Sequence, residues 1–164
     1  GLSDSPVMYW HPPVDGTFPV CKIEAQQKSV TKSRPVARPY LYTLGGVSEV
    51  GGEALSSVER YDEERDMWEP VADLNIARSR GGACVLAGRL YAVGGFGARN
   101  NRLSSVERYL DEKNQWEAVA DMSTARFGAG VCAFGGRLYA VGGKNAAFHC
   151  LSSVERYDKD QNTW

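Results

Sequence analysis

The heptapeptide Leu-Ser-Ser-Val-Glu-Arg-Tyr stands three times in this chain, at 55–61, 103–109 and 151–157, with a period of 48 both times. Trp68, Trp116 and Trp164 keep that spacing, and the diglycines Gly45-Gly46, Gly94-Gly95 and Gly142-Gly143 follow at 49 and 48. Residues 89–116 and 137–164 align without a gap at 17 identities in 28. A period of this size implies one supersecondary unit per repeat. No such unit buries its apolar face alone, so the fold has to be an array of similar units packed on one another.

One period reads as four short strands. The apolar, β-prone runs 83–86 and 90–93 flank Ala87-Gly88-Arg89, and 131–134 and 138–141 flank Gly135-Gly136-Arg137; both are hairpin signals. The first run of each pair is apolar on successive residues and rich in small side chains, as suits an innermost strand buried on both faces. The second run ends in the diglycine, where the backbone needs positive φ or close approach to a neighbouring chain. Ser-Val-Glu-Arg-Tyr mixes polar and apolar residues as an outer strand would. The Trp seven residues beyond each Tyr predicts a tight outer hairpin that pairs Tyr61 with Trp68, Tyr109 with Trp116 and Tyr157 with Trp164. The expected fold class is therefore all-β, made of β-propeller blades of four antiparallel strands.

The segments Leu90 to Gly95, Ser105 to Tyr109, Trp116 and Met122 to Arg126 together resemble Kelch repeats, over about residues 39–164. The repeats read as 39–88, lacking its innermost strand because Arg34-Pro35-Val36-Ala37-Arg38-Pro39 stands in its place, then 89–136, then a truncated 137–164. Six of the seven prolines fall within the first 39 residues, and 1–38 reads as an irregular Pro-rich arm or linker. A closed propeller needs at least roughly four blades, more than this length supplies at 48 residues each. An incomplete arc of a longer protein is expected.

Composition narrows the function. Nineteen Lys and Arg against 20 Asp and Glu give a net charge of -1, with no basic excess for nucleic acid or an anionic membrane. The longest apolar runs are about five residues, against the roughly twenty that span a bilayer. Cys21, Cys84, Cys132 and Cys150 form no Cys-x-x-Cys pair, and no glycosylation sequon is present; a soluble protein of the reducing cytoplasm is expected. His11 and His149 are the only histidines and lie in no ligand spacing, so no metal, cofactor or catalytic residue is expected. Cys84 and Cys132 share a repeat position and read as small core residues. Gly94-Gly95-Phe96-Gly97 follows a strand but has neither the helix nor the spacing of a dinucleotide loop.

Residues repeated in every blade serve the blade, and those that differ at equivalent positions are free to serve function. By that rule the diglycines and the Tyr-Trp pairs are structural, and Arg78 and Arg126 belong to packing. Glu59, Glu107 and Glu155, beside Arg60, Arg108 and Arg156, read as a solvated face or interblade ion pairs of small individual worth. The informative places are the loops 47–54, 96–102 and 144–150 and the lead-in turns Ser79-Arg80 and Phe127-Gly128. In a four-stranded blade these emerge at the same end. That face collects Arg, Lys, Asn and aromatic side chains, and favours an acidic or carboxylate-bearing protein segment as partner.

The resemblance adds domain context. Propellers of the Kelch-like family commonly follow BTB and BACK domains and recruit substrates to a cullin-RING ubiquitin ligase, and a first repeat's missing inner strand is usually donated by the far C-terminal end. The family's substrate-contacting loops, carried over position by position, imply partner contacts at Ser79, Arg80, Arg99, Asn100, Phe127, Lys144, Asn145 and His149. The expected function is a protein-interaction module and not an enzyme: the substrate-recognition propeller of a ligase adaptor. Other members of the family imply two alternatives, an actin-binding scaffold and, less favoured, a fragment of a Kelch-fold sugar enzyme.

Overall fold

The computed structural model describes residues 40–49 and 52–164. The arm read at 1–38, the Arg34 to Pro39 stretch, His11 and Cys21 lie outside the described residues. The described chain forms ten strands and two short 3-10 turns. Strands β1 (Leu41–Leu44), β2 (Val58–Asp62) and β3 (Met67–Val71) make the first sheet. Strands β4 (Gly82–Leu86), β5 (Arg89–Phe96), β6 (Arg102–Leu110) and β7 (Gln115–Val119) pair in chain order as the second. Strands β8 (Gly130–Phe134), β9 (Arg137–Val141) and β10 (Val154–Tyr157) form the third. Every pairing is antiparallel. The all-β expectation holds, and the second sheet is the complete four-stranded blade. A sheet begins at β4 or β8, so a period counted from 89 or 137 starts at the sheet's second strand.

Successive residues of a strand point to opposite faces, and both faces of β5 are covered. Leu90 and Ala92 pack with Tyr42, Val58, Leu74, Tyr109 and Trp116 between the first and second sheets. Tyr91 and Val93 pack with Leu86, Val106, Val131, Leu138 and Tyr157 between the second and third. The neighbouring sheet supplies that burial. Leu86, Val93 and Val106 are 4%, 2% and 0% exposed, whereas their counterparts one period on, Phe134, Val141 and Val154, are 69%, 45% and 53% exposed. Cys84 accordingly lies in the core, and Cys132 at the same position of β8 is only half-buried.

The connector between sheets is clamped by the residues that recur. Glu107 is buried, and its carboxylate accepts from the backbone N–H of Asn75 at 2.7 Å and of Ile76 at 3.1 Å, and from Arg78 at 2.5 Å. Glu155 repeats the arrangement with Ser123 at 2.6 Å, Thr124 at 3.1 Å and Arg126 at 2.6 Å. Of the two expected readings, the interblade ion pair holds in kind for Glu107 and Glu155, with its small individual worth corrected because these carboxylates are buried or nearly so, and the solvated face holds for Glu59, which is exposed. Adjacent strand residues face opposite ways, so Glu107 does not face Arg108, which instead bonds Glu117 on β7. Burial works to raise the Glu155 pKa. The Arg126 guanidinium and the two N–H groups outweigh it and hold the carboxyl below its usual value.

The outer hairpins hook the same connector. Trp116 Nε1 donates to the Ala72 carbonyl and Trp164 Nε1 to the Ala120 carbonyl, both at 2.9 Å. Asn114 Oδ1 accepts from Tyr109 Oη and from the Ala72 N–H, each at 2.8 Å. Asn162 does the same with Tyr157 and Ala120, each at 2.9 Å. The three Tyr-Trp pairs stand 5.2–5.4 Å apart between ring centroids, as the spacing predicts.

Candidate functional site

The diglycines bring the variable segments together. Gly94 and Gly95 have φ of +60° and +105°, and Gly142 and Gly143 of +61° and +82°, a region that glycine enters without steric cost. A Cβ on Gly94 would stand 2.5 Å from the Arg126 carbonyl oxygen, and one on Gly95 2.5 Å from that of Ser79. The chain thus passes against two lead-in turns where only glycine fits. Past that point Ser79 and Phe96 exchange backbone bonds of 2.8 and 2.7 Å, Phe127 and Lys144 bonds of 3.1 and 2.9 Å, and the Gly128 N–H donates to the Arg80 carbonyl at 2.9 Å. The lead-in turns and the loops after β5 and β9 therefore lie side by side.

At their centre three phenylalanines meet. Ring centroids are 4.2 Å apart for Phe96 and Phe127, 5.6 Å for Phe127 and Phe148, and 6.4 Å for Phe96 and Phe148. Phe96 and Phe127 are buried, and Phe148 is 54% exposed above them. The Arg102 guanidinium lies 4.6 Å from the Phe148 centroid and 5.2 Å from that of Phe96, and Arg80 lies 5.6 Å from Phe96, within cation–π range.

Of the residues expected to contact a partner, Arg80, Arg99, Lys144 and His149 are exposed. Ser79 is half-buried and engaged through its backbone, while Phe127 forms the floor beneath Phe148. Asn145 organises its own loop: Oδ1 accepts from the Ala147 and His149 N–H groups at 3.0 and 3.1 Å, and its carbonyl from the Phe148 N–H at 2.9 Å. Asn100 is the last residue of the 98–100 turn, which the Asn101 N–H closes by donating to the Ala98 carbonyl at 3.1 Å. A cleft of about 230 Å3 opens between Gly52, Glu53, Ala54, Ser79, Phe96, Gly97 and Arg99, so the first loop sets an acid opposite the cation of the second. Among the described residues no three His, Cys, Asp or Glu side chains gather as metal ligands, and no helix is long and apolar enough to cross a membrane.

Sequence reasoning placed Phe148 and Arg102 on this loop face but left both out of the partner-contact set, and it missed Phe96 and the meeting of the three. The signal was present, because each stands where the equivalent position of the other repeat holds a different residue class: Phe96 against Lys144, Phe148 against Asn100, and Arg102 against Cys150. That the rings meet is visible only once the two blades are set side by side.

A family model described as the Kelch motif matches residues 36–75, 77–123 and 125–164. The chain belongs to the Kelch-repeat family. The second match contains the whole four-stranded sheet, and the three sheets are blades of an incomplete Kelch β-propeller. Human Kelch-like protein 3 is 44% identical over 70 residues, which is 40% of this chain and 11% of that protein. Rat Kelch-like protein 38 is 43% identical over 58 residues, 35% of this chain and 10% of that protein. Human Kelch-like protein 5 is 54% identical over 39 residues, 24% of this chain and 5% of that protein. The matches span about a tenth or less of the length of these relatives.

Proposed function

We propose that this Kelch protein-interaction module recognises an acidic peptide segment through the end of its blades formed by the loops 96–102 and 144–150 and the two lead-in turns, as the substrate-recognition part of a cullin-RING ubiquitin ligase adaptor. One observation carries the binding half. The repeated residues are consumed in holding blade to blade, whereas the non-repeating Arg80, Arg99 and Lys144 are exposed together at one end. Cations so placed steer an acidic partner and form charge-assisted bonds to its carboxylates. Likeness to Kelch-like proteins alone supports the ligase half. The reading includes a cytoplasmic setting, and Cys84, Cys132 and Cys150 are thiols rather than disulfides, as a reducing compartment keeps them.

Selection of random 12-residue peptides on the immobilised full chain tests the binding half. The expected result is a net-negative consensus whose affinity falls with salt. Arg99→Glu combined with Lys144→Glu should weaken those peptides at least tenfold. Selected peptides without acidic enrichment, or indifferent to the double substitution, would refute it.

A further inference from the structure

The non-glycine residues with positive φ fall into two groups among the described residues. Asp66, Asn114 and Asn162 recur in the outer hairpin turns and are of the residue types that accept this conformation; Ala87 sits in an inner hairpin turn opposite Gly135 of the next blade. The others are Arg80 at +51°, Arg99 at +52° and Phe148 at +62°, all on the loop face and none repeated. Arg80 takes the conformation at the position where the next blade has Gly128 at +61°. Bulky residues rarely adopt it, and such outliers persist where the surroundings over-determine them, frequently at ligand clamps. Around Phe148 those surroundings are the two Asn145 Oδ1 bonds and the turn that ends at the Phe148 N–H. The product is a ring held 54% exposed on a pedestal of two buried rings, one from each blade.

We propose that Phe148 is an apolar anchor point, so that the recognised segment carries an aromatic or leucine-like side chain at a fixed distance from its carboxylates. An exposed aromatic stacked by Arg102 on a face of exposed cations has the composition of an interface hot spot, where aromatic and Arg residues dominate and the polar surround excludes water. Arg80, Arg99 and Lys144 supply the rim, and their charge selects an acidic occupant. This inference rests on the acidic-segment reading and adds the apolar requirement and its position.

The test is an array of 12-residue Ser/Gly peptides. Each carries two Glu and one varied residue at spacings of one to four, and is probed with the full chain and two variants. Phe148→Asn keeps a residue that tolerates the left-handed backbone while removing the ring; Arg99→Glu with Lys144→Glu reverses the rim. The expected result is tightest binding for Phe, Tyr, Trp or Leu at one restricted spacing, about tenfold above Ser at that place. Phe148→Asn should erase the difference without lowering the melting temperature. Binding that tracks the Glu residues and ignores the varied one overturns the anchor and leaves the charge reading standing. An apolar preference that survives Phe148→Asn also overturns the anchor. Binding indifferent to both Glu and the rim reversal, or no binding by any peptide, contradicts the anchor and the charge reading together.

Discussion

Glu107 shows how much one repeated residue carries. Its carboxylate closes a buried ion pair with Arg78 and caps two backbone N–H groups of the incoming connector. Removing one partner of a buried pair leaves the other charge uncompensated, so Glu107→Ala should lower unfolding free energy by about 3–5 kcal/mol, read by denaturant titration. Glu155 adds a pH dependence. Its folded pKa lies below the unfolded value of 4.5, so its contribution is complete above that value and is lost as pH falls through the folded pKa. Melting temperature should drop on acidification below about 4.5, less steeply in Glu155→Gln than in the parent. The diglycines divide at this scale too. A Cβ at Gly142 meets only the Leu151 carbonyl, at 3.2 Å, so Gly142→Ala should cost about 1–2 kcal/mol for the left-handed backbone. Gly94→Ala adds the collision with the Arg126 carbonyl and should cost clearly more by the same titration.

At the scale of the element, the outer hairpin is a hook as well as a ring pair. Trp116→Phe keeps an aromatic against Tyr109 and deletes the donor to the Ala72 carbonyl; an acceptor left unsatisfied should cost about 1–3 kcal/mol. Trp68 is 38% exposed, so Trp68→Phe should stay within about 0.5 kcal/mol. Equal losses for the two would show that ring pairing alone matters. The strands and hairpins were legible in the sequence because alternation, diglycines and Tyr-to-Trp spacing are local and repeat. The Glu107 clamp was legible only as one of two readings, an interblade ion pair without a named partner, because Arg78 lies 29 residues away and the neighbouring Arg108, although next in sequence, faces the other way. The loop face was legible as a place. Its centre was not, since Phe148 is set by the hydrogen bonds of Asn145 and by rings from another blade, and neither has a sequence period.

At the scale of the whole molecule, two sets of residues share one repeat. One set recurs and locks each sheet to the connector of the sheet before it. The other varies and gathers where the diglycines draw loops and lead-in turns together. The division makes stability and recognition separable. Arg99→Glu with Lys144→Glu should leave unfolding free energy within about 1 kcal/mol of the parent, as surface substitutions do, while Glu107→Ala should not. The most direct test is the affinity of the double variant for the peptides selected by the parent chain, measured at low and at high salt. The account predicts affinity at least tenfold weaker at low salt and a flattened salt dependence, since rim charges act through long-range attraction. Unchanged affinity at both salt concentrations would contradict it and place recognition on another surface.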